Sequence, residues 1–477
     1  MTNIFRFYFP PRRVYSATGW LIIACLASVY SATQAIGELD RSAYSEFYTP
    51  FRDDLADEWL ERSVTATGLV RQPFMREVPW AFSSGIPPFF RESLVQVVAR
   101  TFYLTRDNLA GSTSQAWSGG GWLAYRSGLA ADMFGVHAAL YTSQRLFGPA
   151  DEAGTLLLNP DQKPLNMLGQ GYGRIKILDQ EFRGGRQLVD TPLINAQDNR
   201  MVPTTFEGAV FTTLPDNKRD YDYSVGYLWN VKQRDSNDFI SLSDALTGGD
   251  VPNSGASFGM IKYRPLPGLE AIFQDYIIKD VANTSFAQLE YKLQLPPDVP
   301  QWIVGANIID QRSVGAGLLS GSPFQTYQIS AKAQMTYMGW LLFVAGSATG
   351  EQSKIFNTFA FKPTYTVMLQ QSFENAGEKA LGANVAYDFG DASSPMRLAG
   401  LSAGAWYSHG WSALNPSTAL RIPGRDELDI WIQYRPSEGP LKGLRVKMQY
   451  SNVWQQGNVR DRQPELQFIT DYTILFR

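Results

Sequence analysis

Residues 444–451 read Leu444 Arg445 Val446 Lys447 Met448 Gln449 Tyr450 Ser451, and the fold turns on how that stretch is read. Leu, Val, Met and Tyr take one parity; Arg, Lys, Gln and Ser take the other. Successive side chains of a β-strand point to opposite faces, so this strand has one greasy side and one wet side. The same alternation sets Tyr327, Ile329, Ala331, Ala333, Met335 and Tyr337 against Gln328, Ser330, Lys332, Gln334 and Thr336. It returns in Ala287, Leu289, Tyr291 and Leu293 against Gln288, Glu290 and Lys292, and in Leu428, Ile430, Ile432 and Tyr434 against Asp429, Trp431, Gln433 and Arg435. It recurs many times between residues 94 and 476.

A soluble sandwich also alternates, because one face of each sheet packs on a core. Three features separate the two readings. Tyr327 and Tyr337 bracket an apolar stripe of about ten residues, the length of a tilted membrane-crossing strand between interfacial aromatic rings. Short links (264–268, 296–300, 338–339 and 437–443) alternate with long polar stretches (147–169, 233–257, 311–324, 349–379 and 410–424), as in outer-membrane barrels. The chain also ends on an alternating strand. The expected fold is therefore all-β: a closed antiparallel transmembrane β-barrel of about 18 strands, with short periplasmic turns, long extracellular loops and an aqueous lumen.

Composition agrees. At 44% hydrophobic residues and a mean hydropathy of -0.20, the chain lacks the apolar excess of a bundle of membrane helices. No run of 18 apolar residues occurs, so any membrane crossing is made by strands. Aromatic residues at 13% and 41 glycines suit strands, girdles and tight turns. A net charge of -3 gives no global field to recruit nucleic acid. Arg6, Arg12 and Arg13 precede the short apolar run Trp20–Val29 and the small-residue stretch Ser31–Ala35, the pattern of an export signal cut after about Ala35. The single cysteine, Cys25, lies in that signal, so the mature chain has no disulfide, thiolate metal site or Cys nucleophile. The domain reading is a cleaved signal (1–35), an N-terminal extension (36–93) and a barrel (94–477). In the extension, 51–62 has the pattern of a short amphipathic helix with Leu55 and Trp59 on one face. The extension is expected to be partly ordered and to lie outside the barrel.

Several stretches together resemble the OprD-like substrate-specific porins, over about residues 85–476. They are the opening strand Ala99–Asn108, Trp122–Gly128, Asn199–Gly208, Asn375–Lys379 and Gly439–Leu444, in that order and spacing. The resemblance implies a monomeric barrel of 18 strands in the outer membrane of a Gram-negative bacterium, inserted by the barrel assembly machinery and surrounded by outer-membrane lipid. It implies loops folded inward to make a constriction, and passive diffusion of small carboxylates or amino acids past a track of basic side chains. Such a track replaces water around a carboxylate without holding it tightly. Two departures stand out. Trp406, Gln449 and Gln467 stand where the family places arginines, which thins the track. The chain also ends on Arg477 rather than on the aromatic Phe476.

Phase places Arg100, Arg106, Arg126, Arg174, Lys176, Arg445 and Lys447 on the polar, lumen-facing side. The connector Asp190–Phe206 is polar, bounded by proline and placed like the family's infolded loop, so Asp198, Arg200 and Glu207 are expected at the constriction. Arg445 and Lys447 are two residues apart, hence about 7 Å along one strand. No catalytic, metal or cofactor site emerges, and His137 and His409 are assigned no role. Two other readings are carried. A barrel enzyme of lipase or protease type would need a nucleophile beside an oriented base. A plugged structural barrel would draw residues 36–93 into its lumen.

Overall fold

The computed structural model describes residues 75–79, 85–214, 219–249, 251–391, 393–436 and 438–476. The expected export signal and the amphipathic stretch 51–62 lie outside them. Among the described residues the strands form one sheet of 20, of which two, Arg76–Val78 and Ile240–Ser241, are too short to cross a membrane. The other 18 are β1 (Leu94–Asp107), β2 (Thr113–Arg126), β3 (Phe134–Phe147), β4 (Leu165–Ile177), β5 (Gln180–Gln187) and β6 (Thr205–Thr213). They continue as β7 (Tyr221–Lys232), β8 (Ala256–Leu266), β9 (Leu269–Ile278), β10 (Ala282–Lys292), β11 (Gln301–Ser313) and β12 (Gln325–Tyr337). The circuit finishes with β13 (Trp340–Thr349), β14 (Lys379–Asp388), β15 (Leu401–Trp411), β16 (Arg425–Tyr434), β17 (Leu444–Gln455) and β18 (Arg462–Phe476). Each is antiparallel to the next. Pairing of β18 back onto β1, with Arg100 opposite Asp471, closes the barrel.

Burial excludes the sandwich. On β17 Met448 is 51% exposed while its neighbour Gln449 is 6% exposed. Leu381, Leu140 and Val344 also lie bare on the outside, while Gln328, Ser408 and Thr473 are buried within. Apolar outside and polar inside inverts the rule for soluble proteins and fits a wall between lipid and water. Trp340 packs against Tyr387, ring centroids 4.6 Å apart, and Tyr387 against Phe389, beside the tight turn Met338–Gly339. Both turn residues have positive φ, 48° and 77°, the geometry a two-residue hairpin turn needs to match strand twist. The connectors 148–164, 188–204, 233–255, 350–378 and 412–424 all leave from the opposite end of the barrel.

Two of those connectors turn inward. The β5–β6 loop (188–204) and the β13–β14 loop (350–378) meet inside the barrel. There Asn195 N–H donates to the Phe359 carbonyl at 2.9 Å and Gln197 Nε2 donates to the Thr358 carbonyl at 2.7 Å. Their apolar side chains Val189, Leu193, Ile194, Ile355 and Phe359 pack on inward residues Phe206, Val210, Tyr276, Phe286 and Ile309 of β6 to β11. That side of the lumen is a dry core. The infolding of the first loop matches its sequence expectation. The second had been read only as one of the long polar connectors.

Candidate pore constriction

The open side of the lumen lies between β1, β17 and β18. Arg100 faces inward from β1, and its Nε donates to Asp471 Oδ1 on β18 at 2.7 Å. Its Nη1 donates to Asp198 Oδ1 and to the Arg200 carbonyl of the β5–β6 loop, each at 2.6 Å. Asp471 is shared: Arg445 on β17 donates to its Oδ2 from Nε at 2.5 Å and again from Nη2. One wall carboxylate thus holds two guanidiniums in place, and one of these fixes the loop tip. Charge-assisted, multidentate contacts of this kind set geometry as well as energy. Burial holds the Asp198 carboxyl above its ordinary range, against the pull of the Arg100 guanidinium.

The β13–β14 loop closes the other side. The Gln370 and Gln371 N–H groups donate to the two oxygens of Glu427 at 2.7 Å each, and the Leu369 N–H donates to Asp429 at 3.2 Å. Inward carboxylates of β16 therefore serve as loop anchors. At the loop's base Arg425 grips Glu378 through two bonds of 2.8 and 2.7 Å. Between the two loop tips and the wall lies a narrow cleft, the candidate passage. Arg100, Arg445, Lys447, Gln449 and Gln467 line it from the wall with Phe102 and Ile469, and Asp198, Arg200 and Leu369 from the loops. Four cations and two carboxylates, Asp198 and Asp471, surround it.

A second cluster lies toward the turn end. Glu181 on β5 sits 3.0 Å from Arg174, 3.4 Å from Arg126 and 3.9 Å from Arg183. Gly135 faces Arg174 across the β3–β4 ladder, and a Cβ there would lie 2.6 Å from Arg174 Nε, so glycine makes the room for that guanidinium. His137 is buried nearby with its ring stacked on Tyr172 at 4.9 Å.

Of the residues singled out from sequence, Arg100, Asp198, Arg200, Arg445 and Lys447 meet at the passage. Arg126 and Arg174 join the Glu181 cluster. Arg106 lies at the loop end, bonded to Glu465 at 3.2 Å and to the Gly154 carbonyl at 3.0 Å. Lys176 faces inward by phase at the turn end of β4. Glu207 is a correction. It pairs across the ladder with Arg186, 3.7 Å away, on the outward parity of β5 shared with the exposed Phe182. The apolar Phe206 takes the inward position because the loops pack on it, so Glu207 points away from the lumen.

Asp471, Glu181 and Arg183 were missed. The outward phase of Tyr472, Ile474 and Phe476 was enough to turn Asp471 inward. Trp406 does face the lumen, and Lys362 from the β13–β14 loop brings its Nζ to 4.3 Å from the Trp406 ring. A loop cation thus stands where the wall lacks one. His409 Nδ1 lies 2.8 Å from Asp426 on the outer face. Among the described residues no hydroxyl hydrogen-bonds to that ring, as a catalytic triad requires.

The family model "outer membrane porin, OprD family" matches residues 87–476. A curated relative, the porin-like protein GalP of Pseudomonas putida, is 23% identical over 418 residues, spanning 81% of this chain and 93% of its own. Among solved structures, Pseudomonas aeruginosa OpdK with vanillate superposes with a TM-score of 0.70 at 20% identity, over 81% of this chain and all of that one. Acinetobacter baumannii OccAB2 gives 0.73 at 20% identity over 82% of this chain and 100% of its own. The BenF-like porin of Pseudomonas fluorescens Pf-5 gives 0.71 at 18% identity over 81% and 99%.

Proposed function

The chain belongs to the OprD family of outer-membrane porins of Gram-negative bacteria, and from that premise we propose that it passes small carboxylates inward through the constriction beside Arg100, Arg445 and Lys447. The observation that carries the reading is the charge of the passage: four cations and two carboxylates around an opening narrowed by two loops. A carboxylate that enters sheds part of its water, and successive N–H donors replace it. Asp471 keeps the guanidiniums of Arg100 and Arg445 in position and lowers their net field, so an anion is attracted without being trapped. Lys447, about 7 Å farther along β17, supplies the next step. At ordinary salt each charge acts over roughly 8–10 Å, so the pull is local and weakens as salt rises.

Replacing both Arg445 and Lys447 with Gln tests this. If the pair supplies about 1 kcal/mol in a screened lumen, the anion-to-cation permeability ratio from reversal potentials falls about fivefold at low salt. Flux of a benzoate-like carboxylate falls with it. An unchanged ratio and flux in a heat-modifiable, correctly inserted barrel would falsify the proposal.

A further inference from the structure

The turn end of β18 is paired on both edges by one limb of the chain. On one edge β1 follows β18 as far as Val95 opposite Phe476. On the other edge β17 reaches only to Leu444 opposite Tyr472. Beyond that point Arg76–Val78 takes over and pairs in parallel with Ile474–Phe476. The chain therefore changes from one edge of β18 to the other between Val78 and Leu94. Residues 36–93 were expected to lie outside the barrel, yet this part of the extension adds to its wall. It lies upstream of residues 87–476, the span that matches the family model.

The wall is shaped to receive this segment. Gly443, just before β17, has a φ of 99°, and its carbonyl accepts the Thr473 N–H at 2.9 Å. A Cβ there would lie 3.0 Å from the Arg76 backbone nitrogen and 2.5 Å from the Thr473 carbonyl oxygen, so glycine leaves the gap through which the segment reaches β18. Arg76 Nη1 donates to the Pro440 carbonyl of the same turn at 3.3 Å and to Tyr472 Oη at 3.2 Å. Met75 takes the opposite phase and packs on the apolar cluster that holds Val98 and Leu475. Polar contacts thus fix the segment at the turn, and an apolar contact fixes it one residue earlier.

The position of this contact gives it a role. β1 and β18 are neighbours in the barrel but are the first and last of its 18 crossing strands, so no hairpin joins them. Their closure rests on the ladder between them and on side-chain pairs such as Arg100 with Asp471. A strand edge left uncovered is also a template for pairing with another chain. We propose that Arg76–Val78 is a latch on this seam: it covers the end of the β18 edge and, being continuous with β1, holds β18 against β1 at the turn end. To swing away from β1, β18 has first to shed a strand that belongs to the same limb as β1. The latch is independent of which solute the channel passes.

Cross-linking of the folded barrel tests the pairing, and its loss rate in hot SDS tests the latch. Paired strands lie about 4.8 Å apart, within disulfide reach, so Arg76→Cys with Ile474→Cys in a Cys25→Ser chain should join under mild oxidant in the heat-modifiable form. A folded barrel whose two thiols stay free overturns the proposal. Once oxidised, that barrel should lose its folded band in hot SDS about tenfold more slowly than the same sample reduced, the scale of a few backbone hydrogen bonds. Equal rates overturn the latch. Deleting residues 75–79 should speed the loss by about as much. A seam latch is separated from a general stabiliser by sealing the seam itself. With Thr101→Cys and Thr470→Cys, opposed on β1 and β18, oxidised to a disulfide, the deletion should have no further effect. An undiminished effect in the sealed barrel would place the segment's action away from the seam and overturn the proposal. If the deletion variant does not assemble, the oxidised and reduced forms of the Arg76→Cys and Ile474→Cys barrel, drawn from one folded sample, decide the question.

Discussion

On β6 to β11 the inward side chains include Phe206, Val210, Tyr276, Phe286 and Ile309, whereas on β1, β17 and β18 they include Arg100, Arg445, Lys447, Gln449, Gln467 and Asp471. Both groups face the axis of the same barrel, yet one is a dry packed core and the other lines a passage. Strand phase decides which side chains point inward. Whether they stay wet depends on which loops fold onto them. The two infolded loops join these regions: Val189, Leu193, Ile194, Ile355 and Phe359 anchor in the dry half, Met201 and Val202 pack in a second apolar cluster with inward Val98, Phe102 and Ile469 of β1 and β18, and the polar tips, Asp198 to Arg200 and Leu369 to Gln371, define the opening. The dry half is thus the foundation of the constriction.

The contrast breaks most directly at Phe359. Its ring packs edge-on to Phe206 and Tyr276, with centroids 6.4 and 6.1 Å away, and is 2% exposed. Truncation in Phe359→Ala is expected to cost about 3–5 kcal/mol of loop docking. The β-barrel itself, held by its closed ladder, should remain heat-modifiable. Single-channel recordings should show larger and noisier conductance, although Phe359 lies outside the passage. Unaltered conductance would mean that the loop tips are held by their polar anchors alone.

A smaller change on the polar side sharpens the comparison. Asp471→Asn keeps the shape of the carboxylate that bridges Arg100 and Arg445 but removes its charge. Anion preference, measured as the reversal potential in a salt gradient, should rise by about threefold at low salt, consistent with well under 1 kcal/mol for one screened charge. A fall in anion preference would show that the bridge matters for positioning the guanidiniums more than for tempering their field.

The smallest effect concerns pH. Glu374, on the β13–β14 loop, is buried, and burial pushes its carboxyl up from 4.5 to about 8. The docked loop binds this proton more tightly than the undocked loop. Its contribution to docking is therefore complete below the ordinary value and is lost as pH rises through about 8. Conductance noise should increase from neutral pH toward pH 9, and Glu374→Gln, which cannot ionise, should flatten that rise. A profile identical in the variant would remove Glu374 from the loop's pH response.

The strands, the order of turns and loops, and the inward set Arg100, Arg445 and Lys447 were legible in the sequence. Period-two alternation is a local property, and β17 displays it from Leu444 to Ser451. Asp471 was legible by the same rule, from its outward neighbours. The alternation fails where both faces are apolar. Around Phe206 and Val210 the inner face is covered by loops and the outer face by lipid, so polarity no longer tells inside from outside, and Glu207 was placed on the wrong side. The inward fold of 350–378 left no local pattern either. Its signals are carboxylates at Glu427 and Asp429, far along the chain, which accept backbone N–H groups that no residue type advertises. By itself the sequence determined the wall and the direction in which each side chain points, because those follow from neighbours one and two residues away. Only the tertiary structure decided which part of the lumen is closed and which charges face one another across it, because those depend on loops whose partners lie tens to hundreds of residues distant.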